Sequence, residues 1–201
     1  MKFVLVSYNN DPTWVKEYTD DWLIFDRSDV PFDFPNTTKT DNVGNVDYDK
    51  LRYLVDYYDD LPEAFVWGKT NLFKYITKEE FDKVKDNKYF TPLLTQNHQT
   101  YQDRNGWVCY YGGGTYHERN NSWYLDQFPS KFASYGEFAH EFQLPSPPYL
   151  QFAPGGNYIL TREVVHKYSR DFYDKMASTL PYCQLPGEAQ MCERSYFNMW
   201  K

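Results

Sequence analysis

The sequence predicts an α/β domain whose central sheet is mostly parallel and flanked by helices. Three short apolar runs carry the prediction, at residues 3–6, 22–25 and 64–67, and polar or turn-forming residues follow each run. Short apolar runs bounded in this way are typical of buried strands. A short helix over residues 13–18 fits between the first two runs, and strand, helix and strand in this spacing predict a parallel pair.

Composition bounds the class of protein. The chain has 201 residues, 41% of them hydrophobic, which fits one domain with a sizeable core. Its aromatic share of 20% suits stacking on sugars or bases as well as core filling. The net charge of −7 argues against non-specific binding to nucleic acid or anionic membrane. The three cysteines lack ligand-like spacing, and no apolar run has the length of a membrane span, so we expect a cytoplasmic protein.

Periodicity predicts the elements that follow. Residues 30–46 are rich in Pro, Asn, Thr and Asp and predict a loop. A helix follows, because apolar residues recur there at helical spacing. Its stripe consists of Leu51, Leu54, Val55 and Tyr58. Thr77 predicts the start of another helix, since it precedes an acidic first turn.

The second half of the chain is less regular. Residues 89–146 predict an irregular insertion or lid within a single domain that covers residues 1–201. A strand over residues 149–152 is predicted to continue past a glycine pair into residues 157–160. Two amphipathic helices complete the prediction, at residues 164–176 and 189–200.

Polar side chains follow the three predicted strands. Ser7, Tyr8 and Asn9 follow the first strand, Asp26 and Arg27 the second, and Lys69 and Asn71 the third. Ligands of open α/β sheets bind at the carboxyl ends of the strands, so these residues are predicted to face one cleft. The plainer interpretation is that every strand ends in polar residues.

Asp47 and Asp49 form an Asp-x-Asp pair. Two such carboxylates can hold Mg²⁺ or Mn²⁺, because hard cations prefer oxygen ligands. The alternative is a helix start, in which Asp47 is the N-cap residue and Asp49 lies in the first turn. Capping is favoured for at least one of the two.

Gly155, Gly156 and Glu188 are candidates near the end of the chain. The glycine pair allows backbone conformations and close approaches that a Cβ would prevent. Glu188 follows a Pro-Gly turn and precedes the last helix, and a carboxylate there can serve as a general base. Stabilisation of the helix start is the equally weighted alternative for Glu188.

The order of these parts resembles that of GT-A-type glycosyltransferases. Residues 4–9 followed by Trp14 would lie where the nucleotide binds. The segment Asn42-Val43-Gly44 with the helix after it, and then residues 60–68, is similar to a domain family of unknown function related to these enzymes. The ending at residues 188–197, which includes Glu193-Arg194, fits that family and the glycosyltransferase domains that large chlorella viruses encode.

The resemblance implies a GT-A-like, Rossmann-like fold and transfer of a sugar from a uridine diphosphate donor to a glycan acceptor, such as that of a viral capsid glycoprotein in the host cytoplasm. It implies a nucleotide site on the polar residues after the strands together with Asn42, with the diphosphate near Lys69 and Asn71. It also implies that the acceptor binds beside Gly155 and Gly156 and that Glu188 is the base. The chain departs from the family's pattern at the expected site of Mn²⁺ or Mg²⁺. The family usually carries Asp-x-Asp after the third strand, where this chain reads Trp67-Gly68-Lys69-Thr70-Asn71.

Two alternatives for the metal and two for the function stay open. Either Asp47 and Asp49 hold the metal, or Lys69 performs part of its work. A non-catalytic carbohydrate-binding or capsid-associated module would also suit the aromatic content. A hydrolase of sugar nucleotides would use the same cleft with water as the acceptor.

Overall fold

The computed structural model describes residues 1–95, 100–102, 108–112 and 115–201, with side chains in residues 1–95 and 115–201. Its strands form two sheets. The strands are β1 (Lys2–Ser7), β2 (Trp22–Asp26), β3 (Thr37–Lys39), β4 (Ala64–Lys69), β5 (Thr91–Pro92), β6 (Thr100–Gln102), β7 (Val108–Gly112), β8 (Thr115–Arg119), β9 (Tyr149–Phe152) and β10 (Tyr158–Thr161).

The first sheet is mixed and has six strands in the order β3-β2-β1-β4-β10-β5. β1 lies parallel to both β2 and β4, and β2 lies parallel to β3. β10 lies antiparallel to β4 and β5. The three strands predicted from apolar runs and the parallel pairing of the first two are therefore confirmed. Because β1, β2 and β4 run in one direction, their carboxyl ends lie at the same edge.

The second sheet has the antiparallel order β6-β7-β8-β9. Three strands of this sheet lie inside the segment predicted to be irregular, and so do β5 and one helix. The prediction of one strand through residues 149–160 is wrong, because β9 pairs with β8 and β10 pairs with β4. Gly155 and Gly156 adopt φ angles of 84° and 61°, which turn the chain from one sheet into the other.

Helices flank the sheets. They are α1 (Asn45–Asp56), α2 (Lys78–Val84), α3 (Tyr135–Glu141), α4 (Arg162–Val165), α5 (Arg170–Ser178) and α6 (Gly187–Trp200). The single helix predicted over residues 164–176 is instead two, because Ser169 caps α5 by accepting a hydrogen bond from the Phe172 N–H at 3.2 Å. Thr77 caps α2 as predicted. Gly44, with φ of 70°, precedes α1, so the prediction of Asp47 as its N-cap is wrong.

Helix α6 contacts both sheets. The ring of Tyr196 lies 4.9 Å from that of Trp67 on β4, and the guanidinium of Arg194 lies 4.7 Å from the ring of Phe152 on β9. One hydrophobic core therefore runs from the first sheet to the second. Within the described residues, no helix has the length and apolar character needed to cross a bilayer.

Candidate functional site

A cavity of about 250 Å³ lies at the edge of the six-stranded sheet where β1, β2 and β4 end. Tyr8, Asn10, Arg27, Lys69 and Asn71 line its strand side, and Asn42, Asn45, Gln184 and Leu185 line its helix side, with Val6 and Val46 between them. This is the edge at which open α/β sheets bind ligands. Five of the residues predicted to hold a nucleotide line this cavity: Tyr8, Arg27, Asn42, Lys69 and Asn71.

Arg27 is a buried cation in the cavity wall. Its side chain is 1% exposed, its Nη2 donates to the Val43 carbonyl, and its Nε lies 3.4 Å from Asp49 Oδ2. That Nε makes no hydrogen bond. Burial lowers the pKa of the guanidinium, and the charges of Asp49 and Asp47 act in the opposite direction. Arg27 thus presents a charge that its protein neighbours satisfy incompletely.

Lys69 is the second cation of the cavity wall. It ends β4, and its backbone N–H donates to Asn157 Oδ1 at 2.9 Å. Its Nζ lies 5.8 Å from the centre of the Tyr75 ring. Among the described residues, Arg27 and Lys69 are the charged residues that line the cavity. A protein of net charge −7 therefore presents a cationic cavity at the end of its parallel strands.

Neutral polar groups complete the lining. Asn71 Oδ1 is buried and has no hydrogen-bond partner. Buried acceptors without a partner are rare, so this oxygen is suited to receive a donor from a ligand. Tyr8 is 40% exposed and presents its ring where a base or a sugar could stack.

Three of the predicted nucleotide residues shape the loops and do not line the cavity. Ser7 Oγ donates to the Asn10 carbonyl at 3.0 Å. Asn9 has a φ of 53°, and its N–H donates to Ser28 Oγ at 2.7 Å. Asp26 accepts hydrogen bonds from the backbone N–H groups of Ser28 at 2.9 Å and Phe32 at 3.1 Å. These contacts fix the two loops that carry Tyr8 and Arg27.

Asp47 and Asp49 point to different neighbours. The Asp47 carboxylate is buried and accepts a hydrogen bond from Tyr196 OH at 2.9 Å. The Asp49 carboxylate faces Arg27 and accepts from Thr40 Oγ1 at 3.3 Å. Residues two apart on a helix do not face each other, so the pair does not converge on one ion. In the part of the chain that the structure describes, no group of three His, Cys, Asp or Glu side chains is arranged to hold a metal.

The glycine turn lies next to Lys69, because Asn157 joins the turn to the Lys69 backbone. The Gly155 N–H donates to Glu193 Oε1 at 2.6 Å, and the Gly156 carbonyl accepts from Lys50 Nζ. A Cβ on Gly155 would lie 2.7 Å from the Tyr75 ring, so the absence of a side chain lets that ring approach the turn. The acceptor expected beside the two glycines stays a prediction.

Lys50 is a buried charged residue that the sequence predictions missed. Its side chain is fully buried, and its Nζ lies 3.8 Å from the centre of the Trp67 ring. Burial lowers the pKa of Lys50 to about 7, although Asp47 opposes the shift. The sequence did contain a signal for this burial. Positions 47 and 50 lie on the apolar face of α1, one turn nearer its N-terminus than the predicted stripe.

Two glutamates on α6 differ in their surroundings. Glu188 is fully buried; its Oε1 accepts from the Lys131 N–H at 2.5 Å and from Ser130 Oγ at 3.2 Å, and its Oε2 accepts from Tyr182 OH at 2.6 Å. It does not line the cavity. The Glu193 side chain is 17% exposed, and burial raises its pKa against the opposing charge of Lys69. The surroundings of Glu188 favour the structural interpretation of its role.

The comparisons with known proteins add no relative. Neither a protein-family model, nor a curated protein, nor a solved structure matches this chain. A function for the chain therefore rests on the cavity and on the side chains around it.

Proposed function

We propose that the cavity binds the nucleoside diphosphate part of an activated sugar and that the protein transfers this sugar to a glycan acceptor. The observation that carries the proposal is the cavity at the ends of β1, β2 and β4, whose charged lining residues among those described are Arg27 and Lys69. Two cations in a concave, partly buried site favour a multiply charged anion. The position at the carboxyl ends of the strands favours a nucleotide.

The lining residues suggest a division of roles. The exposed ring of Tyr8 stacks on the base, and the side-chain amides of Asn42 and Asn71 hydrogen-bond the nucleoside or the sugar. Arg27 and Lys69 contact the diphosphate. Their charges stabilise the negative charge that builds up on the diphosphate as it leaves the sugar.

The acceptor side is the glycine turn beside Lys69. Glu193 is the carboxylate suited to deprotonate the acceptor hydroxyl, since it is partly exposed, binds Gly155 and interacts with Lys69. The acceptor oxygen forms a bond to the sugar carbon while the bond from that carbon to the diphosphate breaks, and the diphosphate leaves with the bonding electron pair. Glu188 is less suited, because three donors already occupy its carboxylate.

A thermal-shift screen with nucleoside diphosphates, with and without Mn²⁺, tests the proposal. A ligand that binds the native state raises its melting temperature. We expect uridine diphosphate to raise it more than adenosine or guanosine diphosphate does. If no nucleoside diphosphate protects at millimolar concentration, the protein is not a nucleotide-sugar enzyme.

The same screen separates the competing functions. A non-catalytic carbohydrate-binding module would be protected by oligosaccharides and not by uridine diphosphate. A hydrolase of sugar nucleotides would be protected by uridine diphosphate, and it would release free sugar from the donor in the absence of any acceptor.

A further inference from the structure

The resemblance to metal-dependent glycosyltransferases implies a divalent cation at the diphosphate, and the carboxylates beside the cavity do not fit one. Asp47 is hydrogen-bonded to Tyr196, and Asp49 is paired with Arg27. Asp26, at the end of β2, accepts two backbone N–H groups. Asp26, Asp47 and Asp49 are thus committed to the protein, and no carboxylate is among the described residues that line the cavity.

The charge of the cavity also argues against a divalent cation. Mg²⁺ and Mn²⁺ are held by carboxylates, which supply both oxygen ligands and negative charge. The charged residues found among the described lining are instead Arg27 and Lys69. A divalent cation beside them would meet like charge, whereas a diphosphate would meet opposite charge.

We infer that Arg27 and Lys69 hold the diphosphate directly and that binding requires no divalent metal. The inference rests on the proposed function. Lys69 ends β4, where the family that the chain resembles usually carries its Asp-x-Asp, so a lysine lies where metal ligands are expected. The Asn157 side chain fixes the backbone of Lys69, and the Val43 carbonyl fixes the guanidinium of Arg27. A guanidinium held before the ligand arrives, together with a lysine on a fixed backbone, lowers the conformational entropy lost on binding.

Titration calorimetry with uridine diphosphate tests the inference on the unaltered protein. One titration contains EDTA and the other contains Mn²⁺ in excess over the nucleotide. We expect the same affinity in both. Binding that needs Mn²⁺, or that Mn²⁺ tightens by tenfold or more, overturns the inference and leaves the proposed function intact. An absence of binding in both buffers overturns the proposed function itself.

Variants assign the effect to residues. In EDTA, Lys69→Ala should weaken uridine diphosphate binding by roughly tenfold or more, the range for loss of a charged hydrogen-bond partner. Lys74→Ala removes the same charge from an exposed position five residues away and should leave the affinity unchanged. In each of the near-isosteric variants Asp47→Asn and Asp49→Asn, we expect Mn²⁺ to leave the uridine diphosphate affinity of that variant unchanged. If either variant binds normally in EDTA and loses a Mn²⁺-dependent gain, its carboxylate holds a metal and the inference is wrong.

Discussion

Two buried arginines, Arg27 and Arg194, are held in opposite ways. Arg194 joins α6 to β8: its Nε lies 2.8 Å from Glu118 Oε1, its Nη2 lies 3.1 Å from Glu118 Oε2, and its Nη1 donates to the Gln190 carbonyl at 3.1 Å. The rings of Tyr124 and Phe152 lie 4.5 and 4.7 Å from the guanidinium. Arg27 has one paired carboxylate, Asp49 at 3.4 Å, and an Nε without a hydrogen bond.

The difference between the two arginines distinguishes a structural role from a ligand-binding role. Burial lowers the pKa of Arg194, but the Glu118 charge and hydrogen bonds outweigh burial and leave the pKa raised. For Arg27 burial prevails, and the pKa is lowered. A guanidinium whose donors are all occupied holds two elements together. Arg27, in the wall of the cavity, keeps a charge that its protein neighbours satisfy less completely. Glu188 and Glu193 differ from each other in the same way on α6.

Glu118→Gln tests the structural half of this comparison and should have the largest effect. The variant keeps the shape of the side chain and leaves the buried Arg194 with Glu193, 3.8 Å from its Nη1, as its remaining counter-charge. Breaking a buried pair in this way costs about 3–5 kcal/mol of unfolding free energy, measurable by urea denaturation. Glu79→Gln, in the exposed pair with Lys83, should cost under about 0.5 kcal/mol. Equal losses in the two variants would mean that the Arg194 pair is not the structural link.

Glu193→Gln tests the functional half through sugar transfer. Loss of the proposed general base should lower the transfer rate by roughly a hundredfold or more and leave nucleotide affinity unchanged. Glu188→Gln is the matched control on the same helix. It should lose about 1–3 kcal/mol of stability, because its carboxylate accepts three hydrogen bonds, and it should transfer normally once folded. The reverse pattern would restore Glu188 as the base.

Arg27→Met should weaken uridine diphosphate binding by roughly ten- to a hundredfold in a calorimetric titration. Its cost in stability should stay below that of Glu118→Gln. Burial raises the pKa of Asp49 to about 6 even with Arg27 present, so the orphaned carboxyl can take up a proton. A variant that loses stability and keeps its affinity would place Arg27 in the same structural class as Arg194.

The sequence predicted the sheet edge that carries the cavity, but it did not predict the buried charged residue behind that edge. The strand before Ser7 is a local apolar pattern, and the parallel arrangement brings its end next to Lys69. The strand predicted through Gly155 could not be divided from periodicity alone, because its halves differ in their pairing partners and not in composition. The burial of Lys50 depends on Trp67 and Gly156, which meet it only in the folded chain.

The pH dependence of stability tests Lys50, which bonds the turn that connects the two sheets. Asp47, Lys69, Cys192, Glu193 and Tyr196 are the titratable groups that face it. The pKa of Lys50 is about 7 in the folded protein and 10.5 as the reference value, so between these values the unfolded chain binds a proton that the folded chain releases. The unfolding free energy should therefore rise with pH in this range.

Lys50→Met removes the titrating group and keeps a side chain of similar length. The stability of the wild type minus that of the variant should rise from pH 7 to pH 9, by at most about 1.4 kcal/mol per pH unit. The same substitution at the exposed Lys74 is the control for the loss of a lysine charge. Urea denaturation at pH 7, 8 and 9 measures both differences. A flat difference for Lys50→Met would mean that Asp47 holds the ammonium in its charged form. The turn between the sheets would then be held by a permanently charged, buried ammonium, through its hydrogen bond to the Gly156 carbonyl.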